Sequence, residues 1–409
     1  MQPTHFSRGT NRLLAIFIGV LLSVGSGIAQ TESVLYSFQS GADGINPSTG
    51  LIADSAGNLF GTTTDGGSGP CDGGCGVVFE LKPSHGGGWT ETVIYNFQGG
   101  ADGVAPYAGL IFDQVGNLYG TTLTGGKYHD GTVFQLTPSG GGWTETVLHT
   151  FTHKDGAYPT ASLIFDQAGN LYGTTLFGGR SLGGTVFQLT LSGGVWTETV
   201  LHNFTGRKDG IDPAASLILD QKGALYGTTM AGNVFKLTPP APGHTKWTLK
   251  SLYNLGSGQD GGPLSAGTLL AGDNGVLYGT QEFGNGPANA GAVFQLAPGK
   301  HGTWNATTIY RFAGGGDGLY PYAGVIADAA GNLYGTTAGD GQTCFGTVYK
   351  LTPPQQGGNW TKTNLYVFTG GQDGSGPFAG LIFGQGGVLY STTTGGGSFG
   401  NGTVFEIIP

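Results

Sequence analysis

Residues 102–151 read DGVAPYAGLIFDQVGNLYGTTLTGGKYHDGTVFQLTPSGGGWTETVLHTF, and this pattern decides the fold because it recurs along the whole chain. Each copy starts at an Asp-Gly pair, and successive pairs lie 51 to 59 residues apart. Self-similarity at such a period is the signature of a repeat architecture. The seven pairs begin at Asp43, Asp102, Asp155, Asp209, Asp260, Asp317 and Asp373.

Every unit contains four short runs rich in Val, Leu, Ile, Tyr, Phe and Thr, separated by Gly, Pro and Asp. Such runs between turn-forming residues predict β-strands. Between the first two runs of unit two, Asp113 can accept hydrogen bonds from turn amides and Gly116 can adopt a positive φ, which predicts a tight hairpin. Four strands per unit are typical of a β-propeller blade, whose faces must be covered by neighbouring blades.

The two ends of the chain indicate how the ring closes. Each of units one to six has a Trp at the start of its fourth strand, whereas unit seven stops after its third strand, at residues 403–408. The missing strand is found at the other end, because residues 33–38 (SVLYSF) resemble the end of a fourth strand. We therefore predict an all-β, seven-bladed β-propeller with four antiparallel strands per blade, in which the N-terminal strand completes the last blade.

The first thirty residues differ from the repeats. Arg8 and Arg12 precede an apolar run over residues 13–24, and small residues follow up to Ala29. This pattern predicts a signal peptide over residues 1–29, with a single propeller over residues 30–409, and a secreted or periplasmic location. The alternative is an uncleaved anchor, but the apolar run is shorter than the roughly 20 residues that cross a bilayer.

Charge and cysteine content narrow the function classes. Without residues 1–29 the chain has 14 basic and 25 acidic residues, so it lacks the excess of positive charge that nucleic-acid binding requires. Cys71 and Cys75 are spaced for a small local disulfide, which would leave Cys344 unpaired. Because three cysteines provide no disulfide framework, a hydrophobic core must hold the fold together.

The motifs GNLYGTT and GTVFxLTP, joined by a glycine-rich stretch, resemble the GloVer (Gloeo_Verruco) repeat of bacterial exported choice-of-anchor tandem-repeat proteins. Unit four departs from the pattern with Ala224 and a short loop, and unit seven has Gly384 in place of the Asp. The resemblance covers nearly the whole chain after residue 30. It implies an exported repeat protein and implies no particular activity.

The repeated Asp residues have two interpretations. Seven carboxylates near the mouth of a central channel could bind a cation or sugar hydroxyls. We favour the other interpretation, in which each Asp caps a tight turn, because a residue present in every unit is explained by the shared backbone. The spacing is also unlike a calcium loop. No cofactor is therefore expected, although calcium stays possible.

Asymmetric features indicate a binding site better than repeated ones. Strand connectivity places the Asp-Gly linkers and the loops between strands two and three on one face of the ring, and loops that vary on a rigid scaffold are common binding sites. The loop of unit four has two residues, Met230 and Ala231. Basic residues and His of units two to four gather on this face, which suits an anionic ligand such as an acidic polysaccharide, or else is solvated surface charge. These residues are Lys127, His129, His153, Lys154, Arg180, Arg207 and Lys208.

Signals of catalysis are few. The chain has no HExxH pair and no nucleotide-binding loop. His149 and His202 occupy the strand position that holds Tyr in other units, which favours a packing role. We therefore expect a monomeric binding or interaction module, with carbohydrate as the leading ligand class and a surface protein as another partner. Two further hypotheses are a polysaccharide-active hydrolase or lyase of propeller fold, and a structural cell-envelope protein.

Overall fold

In the computed structural model, residues 31–257, 267–284, 289–355 and 357–409 are described, and they form seven four-stranded antiparallel sheets. The predicted signal peptide lies outside these residues. The described residues contain no α-helix, only short 3-10 turns at Gly41–Asp43, Leu255–Ser257, Asp273–Gly275, Lys300–Gly302, Gly315–Asp317 and Gln385–Gly387. The seven-bladed propeller predicted from the sequence is confirmed.

The strands follow one order in every blade, from the innermost to the outermost. The strands of blades 1 to 3 are β2 (Ile52–Ala53), β3 (Leu59–Thr63), β4 (Val77–Pro83), β5 (Trp89–Asn96), β6 (Ile111–Phe112), β7 (Leu118–Thr122), β8 (Thr132–Ser139), β9 (Gly142–Thr150), β10 (Ile164–Phe165), β11 (Leu171–Thr175), β12 (Thr185–Ser192) and β13 (Val195–Asn203). The strands of blades 4 to 6 are β14 (Ile218–Leu219), β15 (Leu225–Thr228), β16 (Asn233–Thr238), β17 (Thr248–Asn254), β18 (Leu270–Ala271), β19 (Leu277–Gln281), β20 (Ala292–Pro298), β21 (Trp304–Arg311), β22 (Ile326–Ala327), β23 (Leu333–Thr337), β24 (Thr347–Thr352) and β25 (Thr361–Val367). Blade 7 contains β26 (Ile382–Phe383), β27 (Leu389–Thr393), β28 (Thr403–Ile408) and the N-terminal strand β1 (Thr31–Ser37).

The N-terminal strand closes the ring, as the sequence predicts. Strand β1 pairs antiparallel with β28, from Thr31 opposite Ile408 to Ser37 opposite Thr403. Immediately after β1, the Asn401 side-chain amide donates to the carbonyl of Phe38 at 3.3 Å. Blade 7 is therefore assembled from both ends of the chain, and its β28 edge is covered.

The core lies between the blades and is built from the repeated aromatic residues. The third strand of each blade buries one ring, such as Phe134, against the residue that follows the outer strand of the preceding blade. That residue is also an aromatic ring, such as Phe97 with its centroid 5.2 Å from that of Phe134, except before blade 5, where it is Leu255. The Gly of the GTT motif makes room for the third-strand ring. A Cβ at Gly120 would lie 2.6 Å from Cζ of Phe134, so even Ala would displace the core.

Two sets of loops meet on one face, called the first face from here on. The Asp-Gly linkers pair with the loops between the second and third strands through isolated β-bridges, for example Val104 with Thr124 and Ala157 with Phe177. The hairpins between the first two strands lie at the opposite ends of those strands, on the second face. There Asp113 accepts hydrogen bonds from the amides of Val115 and Asn117, as its turn role requires.

Two further observations complete the description of the chain. A disulfide joins Cys71 and Cys75 in the first-face loop of blade 1, and Cys344 is a buried free thiol. Within the described ranges, no helix has both the length and the apolar character needed to cross a membrane.

Candidate functional site

The first face of blade 3 carries an open cavity of about 670 Å³. Its walls come from the linker between blades 2 and 3, which includes His153 and Lys154, and from the blade 3 loop, which includes Arg180. Side chain–backbone contacts hold these segments together. The amide of Arg180 donates to Oδ1 of Asn203 at 2.7 Å, and the amide of Gly179 donates to the carbonyl of His153 at 2.9 Å. The cavity is thus lined by three basic or imidazole side chains and by the carboxylate of Asp155.

The structure brings together three of the seven binding residues proposed from the sequence. His153, Lys154 and Arg180 share the blade 3 cavity, and Nδ1 of His153 lies 3.5 Å from Oδ1 of Asp130. The other four are exposed on the same face but do not line this cavity: Lys127, His129, Arg207 and Lys208. Met230 and Ala231, the short loop beside which the sequence placed a notch, are not among its lining residues either.

The repeated Asp residues organise the linkers on the first face. In each described linker the carboxylate accepts a hydrogen bond from a backbone amide three or four residues earlier, as Asp102 does from Gln98 at 2.7 Å. This is the geometry of a turn cap. The same contact is made by Asp43, Asp155, Asp209, Asp317 and Asp373, whereas Asp260 lies outside the described residues.

Each of these Asp residues also lies at a seam, which we define as the contact between the outer strands of two adjacent blades and the Asp of their linker. The outer strand of the first blade contributes a Tyr or His, and that of the second contributes a residue of variable charge. At the seam between blades 1 and 2, the Tyr95 hydroxyl donates to Asp102 at 3.1 Å, and Glu145 lies nearby. The described seams are Tyr36–Asp43–Glu91, Tyr95–Asp102–Glu145, His149–Asp155–Glu198, His202–Asp209–Leu249, Tyr310–Asp317–Lys362 and Tyr366–Asp373–Glu32.

The seam glutamates are acids in an environment that disfavours their charge. Burial first, and the neighbouring Asp second, raise the pKa of Glu32, Glu91 and Glu145 to about 7. The same two causes raise the pKa of Glu198 to about 8. At the next seam, burial lowers the pKa of His202 despite its contact with Asp209 at 3.2 Å.

The central channel has a different chemistry. Its described lining encloses about 360 Å³ and consists of small and apolar residues, including Gly50, Gly109, Ser162 and Ser216. At the first-face mouth, Tyr322 packs edge-on against Phe378 with ring centroids 5.4 Å apart. Tyr107 also lines the mouth, and burial together with Tyr107 raises the pKa of Tyr322. Among the described lining residues of the channel there is no Asp, Glu or His.

Sequence comparison identifies the family. The chain matches the Gloeobacter/Verrucomicrobia repeat in three overlapping segments, residues 19–233, 68–286 and 230–409. The protein belongs to this repeat family, as the motifs predicted. No curated protein matches the chain in sequence.

Solved structures show the same fold at low sequence identity. A fungal alcohol oxidase of the AA5 family, in complex with copper, is 12% identical with a TM-score of 0.59, over 93% of this chain and 76% of that one. A protein provisionally assigned as a 6-phosphogluconolactonase from Bacteroides uniformis is 15% identical with a TM-score of 0.52, over 84% of this chain and 88% of that one. At these identities the likeness concerns the propeller fold alone.

Proposed function

We propose that this protein is an exported binding module that takes an acidic polysaccharide on its first face, in the blade 3 cavity. The observation that carries the proposal is the convergence of His153, Lys154 and Arg180 on one open cavity. The chain as a whole has a net charge of −9, so this cavity is a local cationic region on an acidic protein. Such a region attracts an anionic ligand and orients it.

The groups at the cavity suit sugar carboxylates or sulfates. Arg180 offers a planar fork of donors for an oxyanion, and Lys154 offers a mobile point charge. The aromatic side chains at the channel mouth, Tyr107, Tyr322 and Phe378, lie on the same face and present apolar surfaces with polar edges, which suits the C–H faces of sugar rings. A polymer rather than a small ion is therefore the ligand class that uses both features.

A hydrolase or lyase is the second candidate, and one observation weighs against it. A metal-dependent or acid–base site at the channel mouth requires His, Asp or Glu from several blades, whereas the described lining has none and only Glu282 lies close enough to act on Tyr322. A structural envelope protein and a module that binds a surface protein are the third and fourth candidates. Secretion or periplasmic export is part of the proposal and is supported by the pattern of residues 1–29.

Affinity electrophoresis in gels containing polygalacturonate tests the proposal. We expect Lys154→Ala combined with Arg180→Ala to reduce the retardation of the protein by roughly tenfold in apparent affinity, the loss of about 1.4 kcal/mol. The matched control is Lys222→Ala with Lys300→Ala, which removes the same charge from the second face. Equal retardation of the cavity variant and the wild type would contradict the proposal. Release of reducing ends from the polymer by the wild type would support the enzyme instead.

A further inference from the structure

We propose that His149, Asp155 and Glu198 form a site for a divalent transition-metal ion of the Zn²⁺ class at the seam between blades 2 and 3. This site adjoins the proposed polysaccharide cavity, which Asp155 also lines, but the proposal does not depend on polysaccharide binding. One imidazole and two carboxylates are a donor set that Zn²⁺ accepts, whereas Ca²⁺ prefers oxygen ligands alone.

The three ligand atoms already converge. One atom each of His149, Asp155 and Glu198 lies within 4.8 Å of the other two, and Nε2 of His149 is 3.4 Å from Oδ2 of Asp155. Zinc is bound at roughly 2.0–2.2 Å from nitrogen and oxygen ligands, so small side-chain rotations suffice to enclose an ion. The amide of Thr152 holds Oδ1 of Asp155 at 2.7 Å, which leaves Oδ2 directed towards His149.

Two of the three groups are buried without a hydrogen-bond partner. Nε2 of His149 and Oε1 of Glu198 are both inaccessible to solvent, and neither makes a hydrogen bond. Buried polar atoms are almost always satisfied. Oε1 is unsatisfied in the other seam glutamates too, Glu32, Glu91 and Glu145, so the unsatisfied Nε2 of His149 is what distinguishes this seam. A bound cation would supply the missing partner to both.

The other seams provide comparisons within the same chain. The seam between blades 3 and 4 has the same His–Asp pair, but Leu249 stands where Glu198 would be, and His202 makes a hydrogen bond to Asp209 at 3.2 Å. The seam between blades 1 and 2 has the Glu and the Asp, but Tyr95 replaces the His. Among the described seams, the combination of His, Asp and Glu occurs between blades 2 and 3 alone.

The site is reachable from solvent. The Asp155 side chain is 22% exposed and lines the blade 3 cavity, so an ion can enter from the first face. Three protein ligands leave a fourth position for water or for an external ligand. Asp155 and Glu198 supply a charge of −2 to a bound ion once Glu198 has released its proton, and Lys154 and Arg180 line the same cavity as Asp155.

Isothermal titration of the untagged protein with Zn²⁺, after EDTA treatment and dialysis, is the first test. We expect one equivalent to bind, and His149→Tyr and Glu198→Leu to weaken the binding by at least tenfold. Loss of even an outer-shell partner costs roughly 10–100-fold in metal affinity, and a direct ligand should cost no less. Each substitution copies a residue that another seam of this chain already holds, so the fold should accept it. The control is His85→Ala, which removes an exposed His outside this seam and should leave the affinity unchanged.

A gain of binding sharpens the test. Leu249→Glu completes the triad at the seam between blades 3 and 4, and we expect it to raise the stoichiometry from one to two. The proposal is overturned if the wild type binds no Zn²⁺, or if His149→Tyr and Glu198→Leu bind as the wild type does. Should the variants fail to fold, anomalous diffraction from wild-type crystals soaked in Zn²⁺ decides the matter. A peak between His149 and Glu198 supports the site, and a peak elsewhere or none refutes it.

Discussion

The seam between blades 2 and 3 and the seam between blades 5 and 6 share one backbone arrangement but balance charge in opposite ways. In the first, Asp155 faces His149 and Glu198. In the second, Lys362 occupies the position of Glu198, and its Nζ lies 3.1 Å from Oδ1 of Asp317. The Lys362 side chain is only 4% exposed and also packs over the rings of Tyr310, Phe312 and Tyr349.

The comparison shows that the Asp is present in every described seam, whereas the side chains beside it differ and determine whether its charge is neutralised within the chain. At the seam between blades 5 and 6 the charge is neutralised within the chain, because Lys362 and the Tyr310 hydroxyl both donate to Asp317. At the seam between blades 2 and 3 two acids and one His remain without full compensation. A repeat protein can therefore place a site at one seam without changing its backbone.

The largest effect is expected when the neutralised seam is broken. Lys362→Met leaves the carboxylate of Asp317 partly buried without its cation, and breaking a buried pair costs about 3–5 kcal/mol. Urea unfolding monitored by tryptophan fluorescence measures this loss. The control is Lys208→Met, which removes an exposed Lys from the same face and should cost under about 0.5 kcal/mol. Equal stability of the two variants would show that the buried pair contributes little.

The second substitution, Glu198→Lys, introduces the Lys–Asp pair of the seam between blades 5 and 6 into the seam between blades 2 and 3. In Glu198→Lys the new ammonium group can donate to Asp155, as Lys362 does to Asp317. A hydrogen bond to a charged group contributes about 1.5–3 kcal/mol, less the cost of burying the Lys, so we expect a small gain in stability in EDTA. The same variant should lose Zn²⁺ binding. Glu198→Gln removes the carboxylate ligand without adding a positive charge, so it separates the loss of the ligand from the change in charge. A large loss of stability in EDTA would indicate that the two seams differ in more than their charge.

A separate effect concerns pH and the three seams that pair Glu with Tyr. The carboxyl pKa of Glu32, Glu91 and Glu145 rises from 4.5 to about 7 on folding, so between these pH values the folded state binds more protons than the unfolded state. Stability therefore falls as the pH rises from about 4.5 to about 7, and levels off above.

Thermal melting at pH 5, 6, 7 and 8 measures this dependence. Replacing Glu32, Glu91 and Glu145 together with Gln should remove most of the fall in Tm, by about 1 °C for each kcal/mol recovered at pH 8 in a propeller of this size. The surface variant Asp72→Asn serves as the control and should follow the wild type. If the triple variant kept the full decrease in Tm, the seam acids would not be its cause.

The sequence was sufficient for the architecture because every architectural signal is local and repeated. The spacing of the Asp-Gly pairs predicted seven blades, the Trp at the start of the fourth strand in units one to six indicated that unit seven lacks this strand, and residues 33–38 predicted the pairing of β1 with β28. The candidate sites were only partly predictable. Seven residues were proposed for the cationic site, and the three that share a cavity come from segments about 26 residues apart in the chain.

The triad was not predictable, although one signal was visible. His149 stands where other units have Tyr, but its partner Glu198 belongs to the next blade, where it looks like any exposed strand residue. The amino-acid order alone determined the number of blades, their internal strand order, the closure of the ring and the face that carries the linkers. The packing of blade against blade decided which side chains meet at each seam. The distances between those side chains depend on how two neighbouring sheets pack against each other and not on the repeat period within the sequence of either blade.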